Sequence, residues 1–250
     1  ATTFDPASDY HLRVQFLLAE DMPWAKKGYV QAEQEFLLQS GSKLAKEIVG
    51  KEKVNVVKVP KNSDQLIFTT TNGLYVVFNK KTGTIESLKY DDREYLHNNQ
   101  GPKLSAYRAP VDNDNWDGAR ESWAKDGLHA LEANVKEQSV TKQKDGSIQL
   151  YFNVDYRSPR TYKDIGGASG HNTLEDIGEM PEDGLMFNVE MNWTILPDGT
   201  ISLLSNMSSN RPERDLARIG FEMELDDSLT EFTYFGRGPR NNYNDRCFGS

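Results

Sequence analysis

The residues best suited to chemistry lie in two short polar segments. They are Arg108-Ala-Pro-Val-Asp-Asn-Asp-Asn115 and Tyr234-Phe-Gly-Arg-Gly-Pro-Arg-Asn-Asn-Tyr-Asn-Asp-Arg246. In the first, Pro110 fixes its own φ and biases Ala109 toward an extended backbone, so Arg108 makes a stiff approach to Asp112, Asn113 and Asp114. Oxygen donors at this density could coordinate a hard cation, or could close Asx-turns that bond the loop to itself. The EF-hand pattern fails, because Asp117 stands where glycine is needed and Trp123 where the bidentate glutamate is needed. Two carboxylates also raise the question of glycoside hydrolysis. A retaining glycosidase needs a nucleophile and an acid/base about 5–5.5 Å apart in differently tuned surroundings. Asp112 and Asp114 are neighbours in one loop and share one environment, which argues against dividing those roles between them.

In the second segment Gly236 and Gly238 permit sharp turns and Pro239 sets the exit. The spacing is not a dinucleotide fingerprint. It lacks the third glycine, has proline where backbone donors are wanted, and is not followed by a helical pattern. A structural role fits better: Asp245 and Arg246 can pair, and Tyr243 can pack its ring while its hydroxyl finds a partner. The four histidines, His11, His97, His129 and His171, have no metal-ligand spacing, and neither HExxH nor GxSxG occurs. Trp24, Trp116, Trp123 and Trp193 could stack on a sugar face, Trp116 foremost, although tryptophans in β proteins are more often core residues.

The elements that must position these segments are strands. Period-two apolar alternation marks Leu12, Val14, Phe16 and Leu18, and then Val30, Ala32, Phe36 and Leu38 as a partner strand. The charged, aromatic-poor stretch 43–63 reads as a linker between residues 1–42 and a larger domain over 64–250. Within the latter, strands are expected at Gln65–Thr70, Leu74–Phe78 and Ile85–Tyr90, joined by turns at Asn72-Gly73 and Lys81-Thr-Gly83. More are expected at Ile148–Tyr156, Phe187–Leu196, Thr200–Met207, Arg218–Leu225 and Glu231–Phe235, with Pro197-Asp-Gly199 as a tight turn. One helix is expected over Gly118–Leu131, where Ala119, Trp123 and Leu128 follow helical spacing and Gly127 weakens the last turn. Ser158–Gly184, rich in Gly, Pro and acids, reads as a long surface loop. The fold class is therefore all-β: a large antiparallel β-sandwich.

Composition narrows the partners. The net charge of −9 over 250 residues argues against nucleic acid, and no apolar run approaches the roughly 20 residues of a membrane span. The single cysteine, Cys247, rules out an internal disulfide framework and a cysteine zinc site. The first residues show neither a basic n-region nor an apolar h-region, so no signal peptide is visible, and the compartment stays open between cytoplasm and periplasm.

Arg108-Ala-Pro-Val-Asp-Asn-Asp-Asn115 followed by a tryptophan-containing helix, and later Ala217-Arg-Ile-Gly-Phe-Glu-Met-Glu-Leu225 with Phe235-Gly-Arg-Gly-Pro-Arg-Asn-Asn-Tyr-Asn-Asp-Arg246, resemble the C-terminal small-chain domain of the large β-galactosidases of glycoside hydrolase family 2. The stretches Leu17–Ala25, Gly28–Ala32 and Gln34–Phe36 are similar to the last strands of the immunoglobulin-like sandwich that precedes it. The resemblance implies a galactose-mutarotase-like supersandwich, with retaining hydrolysis of terminal β-galactosides by two glutamates on an upstream (β/α)8 barrel, outside these residues. It implies that Arg108, Asp112, Asn113, Asp114 and Trp116 form a loop at the substrate mouth and that none of them is catalytic. Gly236, Gly238, Pro239, Tyr243, Asp245 and Arg246 would be structural, though Asn241 and Asn244 stand where the family commonly has glutamate and proline. No cofactor is implied for this segment, and a magnesium ion is implied only in the barrel. The partners implied are that barrel, a β-galactoside and further copies of the chain. A free-standing carbohydrate-binding module and an assembly domain are the other readings.

Overall fold

The computed structural model describes residues 4–6, 8–41, 53–115, 118–166 and 173–234. They divide into two units, the first comprising residues up to 41 together with 231–234, the second residues 53–230.

In the first unit β1 (Tyr10–Leu17) and β2 (Val30–Gln39) form an antiparallel hairpin. Alternation sorts its two faces. Leu12 lies opposite Phe36 and Phe16 opposite Ala32 on one face. On the other, Arg13 forms a two-pronged ion pair with Glu33, both nitrogens at 3.0 Å, and His11 meets Glu35 at 2.8 Å. The apolar face is open to solvent, with Phe16 68% exposed. Residues 231–234, expected to begin a strand, carry none; Phe232 and Tyr234 stack at 5.8 Å.

The second unit is an antiparallel β-sandwich. β3 (Asn55–Val57), β4 (Gln65–Thr69), β5 (Leu74–Asn79), β6 (Ile85–Tyr90) and β7 (Arg93–Glu94) form a five-stranded meander in sequence order. β8 (Lys103–Ser105) follows, then the single helix α1 (Ala119–Lys125) of the described residues. β9 (Glu132–Lys142), β10 (Ile148–Arg157), β11 (Arg160–Asp164), β12 (Leu174–Glu179), β13 (Phe187–Ile195), β14 (Ile201–Ser209) and β15 (Gly220–Glu222) complete the order. The second layer is the four-stranded sheet β14-β13-β10-β9; β11 pairs with β12, and β15 with β8.

Strict alternation in the central strands creates the core. Ile148, Leu150, Phe152, Val154 and Tyr156 of β10, with Phe187, Val189, Met191, Trp193 and Ile195 of β13, all turn inward and are buried. They meet Phe68, Leu74, Val76 and Phe78 of the meander. Phe78 stacks on Phe152 at 6.4 Å and takes Trp193 edge-on at 5.2 Å, while Trp193 Nε1 donates to Gly83 O at 3.2 Å. Each such side chain contributes about 1.5–3 kcal/mol through burial, so this interlayer cluster dominates the stability of the unit.

Several elements differ from the sequence expectation. Residues 55–57, assigned to the connecting stretch, are an edge strand, and the preceding Val54 is buried with its N–H donating to Gly146 O at 3.0 Å. The expected helix stops at Lys125, and Leu128–Ala130 forms a separate 3-10 turn. The expected strand over 218–225 contracts to β15, with one isolated bridge from Leu225 to Leu96. The stretch 158–184 is no featureless loop. Arg160–Asp164 and Leu174–Glu179 are hydrogen-bonded strands, and Arg160 clasps Asp176 across them with Nε at 2.8 Å from Oδ2.

Candidate functional site

The Arg108 loop leaves β8 through the fully buried Ala106 and ends at α1, so the sandwich holds both of its ends. Pro110 keeps the approach extended, and Asp112–Asn115 then winds into a 3-10 turn. Asp114 closes that turn. Its amide donates to Val111 O at 2.9 Å, and its Oδ2 accepts from the Val111 amide at 2.6 Å. Arg108 grips the same carboxylate with both prongs, Nη1 to Oδ2 at 2.7 Å and Nη2 to Oδ1 at 3.0 Å. The guanidinium also lies 5.1 Å from the ring of Trp123 on α1, a cation–π contact. Hydrogen bonding from Arg108 holds the Asp114 carboxyl below the usual carboxylate range; partial burial opposes this and the Val111 amide adds to it. Of the two chemistries the sequence left open for this loop, Asp114 therefore makes the bond to its own backbone. Asp112 and Asn113 project into solvent.

This geometry does not suit general acid–base work by the aspartate pair. Asp114 has both oxygens engaged and a lowered proton affinity, so it cannot serve as a proton donor near neutrality. Asp112 is exposed to solvent. Asp114's oxygens already serve Arg108 and Val111, and among the described residues no group of three or more His, Cys, Asp or Glu is placed to hold an ion.

The helix carries a feature that the sequence reading missed. Arg120, Trp123 and Ala124 share its buried face. Trp123 Nε1 donates to Asp215 O at 3.0 Å. Arg120 forms a forked ion pair with Asp164 at the end of β11 through Nε and Nη2, the latter 3.0 Å from Oδ1, and its Nη1 lies 3.5 Å from Asn115 Oδ1 in the loop. The two charged side chains are only 9% and 4% exposed. Hydrogen bonding to Asp164 raises the Arg120 pKa further, against the effect of burial. The signal available in the sequence was an arginine three residues before a core tryptophan, which requires a carboxylate partner.

β11 is stitched to the helix at further points. Thr161 Oγ1 donates to Lys125 O at 2.7 Å, and His129 meets the rings of Tyr162 at 4.4 Å and Tyr107 at 5.6 Å. Gly127, at φ 64°, passes against the fully buried Ser158. Of the other residues singled out from sequence, Trp193 is core and Trp24 is exposed in the first unit. Trp116, Gly236, Gly238, Pro239, Tyr243, Asp245 and Arg246 lie outside the described residues.

Comparison with known proteins bears on the same segment. The model of the family described as "Beta galactosidase small chain" matches residues 70–250. The chain belongs to that family. Similar proteins include the beta-galactosidases of Psychromonas ingrahamii, 25% identical over 97% of this chain, and of Lactobacillus delbrueckii subsp. bulgaricus, 27% identical over 98%. That of Kluyveromyces lactis is 24% identical over 90%. The matched regions are 22%, 21% and 19% of those proteins, so the chain spans about a fifth of the length of the relatives it matches. The fold agrees with the family expectation of an all-β antiparallel sandwich.

Proposed function

We propose that this chain is a non-catalytic portion of a retaining β-galactosidase of glycoside hydrolase family 2. In the whole polypeptide, terminal β-galactosides would be hydrolysed by two glutamates on a barrel outside these residues. Residues 64–250 would be part of a supersandwich that buttresses the barrel, and residues 1–42 would be the end of an immunoglobulin-like sandwich. The loop of Arg108, Asp112, Asn113 and Asp114, with Trp116, would line the substrate mouth. Any divalent cation would belong to the barrel, and contact between copies of the whole polypeptide would assemble the enzyme.

The observation that carries this reading is the arrangement of the two aspartates in the 108–115 loop. Asp114 is a strut for its own loop and Asp112 stands exposed to solvent, yet every relative named above is a beta-galactosidase about five times longer. The chain should release no nitrophenol from a nitrophenyl β-galactoside. Turnover by these 250 residues that is abolished by Asp112→Asn would overturn the proposal. Calorimetric binding of an oligosaccharide to the chain alone, lost in Trp116→Ala, would mark a free-standing binding module instead.

A further inference from the structure

We infer that the β11–β12 hairpin and the 108–115 loop form one preorganised wall, with Arg120 and Asp164 as its positioning pair. A buried ion pair is a poor means of gaining stability, because desolvation consumes most of the Coulombic gain and a packed apolar pair often does as well. Its particular property is geometry. The planar guanidinium fork accepts a partner in one orientation, and here it has three directions to satisfy. Nε and Nη2 hold Asp164, at the point where β11 ends; Nη1 faces Asn115, at the last residue of the 3-10 turn. Asp164 Oδ1 additionally accepts the Gly166 amide at 2.9 Å, so the first residues beyond the strand are fixed to the same centre.

The other end of the loop is tied to the same helix by different means. Arg108 holds Asp114 and lies over Trp123, three residues along α1 from Arg120. Two arginines thus pin the 3-10 turn to one short helix, one from each side, and leave the tip residues Asp112 and Asn113 facing solvent. A polar tip on a doubly anchored backbone is the arrangement expected where a ligand must meet fixed donors and acceptors rather than order them on arrival. The hairpin joins this wall because Thr161, Tyr162 and Asp164 all attach it to α1 or to the 3-10 turn that follows.

The anchoring is independent of what the loop faces; its bearing on substrate rests on the galactosidase reading. Hydrogen exchange on the 250-residue chain tests the anchoring through the Val111 and Asp114 amides, whose acceptors lie within the turn. In Asp164→Asn both should exchange at least about tenfold faster, while amides of β10 and β13 keep their rates. Arg120→Lys, which keeps the charge and loses the fork, should have the same effect even if the Asp164 variant folds poorly. Asp176→Asn, which breaks only the exposed Arg160 pair, should leave the loop rates unchanged. Faster exchange confined to 160–179 would overturn the anchoring. In the full-length polypeptide, Arg120→Lys should raise KM for a nitrophenyl galactoside severalfold with little loss of kcat. Loop exchange that accelerates with KM unchanged would leave the anchoring standing and overturn the substrate-facing reading.

Discussion

Gly127→Ala should be far more damaging than Gly118→Ala, although the two glycines flank the same helix with similar backbones. Their φ values are 64° and 77°, so an L-residue at either pays the left-handed penalty of about 1–2 kcal/mol. The surroundings differ. A Cβ at Gly118 meets nothing within 4 Å, whereas one at Gly127 falls 2.3 Å from Ser158 Oγ, 2.4 Å from Ser158 Cβ and 2.8 Å from Arg160 O. Ser158 is fully buried, and its hydroxyl donates to Arg160 O at 2.6 Å, so moving it would sacrifice that bond. Displacing that corner adds the cost of overpacking, about 1–3 kcal/mol. The expected losses are thus about 1–2 kcal/mol for Gly118→Ala and about 2–5 kcal/mol for Gly127→Ala. Urea unfolding followed through the buried Trp123 and Trp193, in a Trp24→Phe/Trp116→Phe background, reads both. Adding Ser158→Gly should recover part of the Gly127→Ala loss, with the clash against the Arg160 carbonyl at 2.8 Å remaining. Equal losses for the two single variants would refute the close approach of helix end and hairpin.

The Asp114 carboxyl has a folded pKa below its unfolded value, so its stabilisation is complete above about pH 4 to 5 and is lost as pH falls through the folded value. Asp114→Asn should therefore cost about 1–3 kcal/mol at neutral pH, and the two proteins should converge in stability as a denaturation series is carried into acid. Burial pushes the Tyr156 phenol up to about 12, with the Leu104 backbone a smaller opposing influence. Its stabilisation is present below the unfolded value of about 10 and is lost as pH rises through the folded value, so ultraviolet titration should show a late-titrating tyrosine component that is lost in Tyr156→Phe. Phe152→Ala should cost about 3–5 kcal/mol in urea, because Phe78 and its neighbours bridge both sheets and cannot collapse into the void.

Much of the sandwich was legible because its signals are local. Alternation in β10 and β13 marks the core directly, and the Asn72-Gly73, Lys81-Thr-Gly83 and Pro197-Asp-Gly199 turns all join strands that pair. β9 was invisible for the opposite reason. In Glu132-Ala-Asn-Val-Lys-Glu-Gln-Ser-Val-Thr-Lys142 only Ala133 and Val135 pack against the core, and a register shift opposite Asn153 and Val154 breaks the alternation. Edge strands tolerate polar residues because one side of the ladder faces solvent, so period-two apolar alternation does not mark them. The 160–179 hairpin escaped through composition: acids and glycines suggested a loop, and the partners that convert it to paired strands lie on α1 and on the opposite strand.

The candidate site divides along the same line. Arg108 and Asp114 are six residues apart, and Pro110 between them limits the paths the chain can take, so their pairing could be reasoned from sequence. Arg120 and Asp164 are 44 residues apart. An arginine on the core face of a helix states a need for a carboxylate, but with 38 Asp and Glu residues in the chain the need does not identify the partner. Only the closure of β11 onto α1 does so, and that closure depends on Gly127 lacking the Cβ that would collide with Ser158. The ion pair and the glycine are thus two requirements of one junction. Losing the glycine should therefore loosen the 108–115 loop as losing Asp164 does, and Gly127→Ala should accelerate exchange at Val111 and Asp114 while Gly118→Ala does so less.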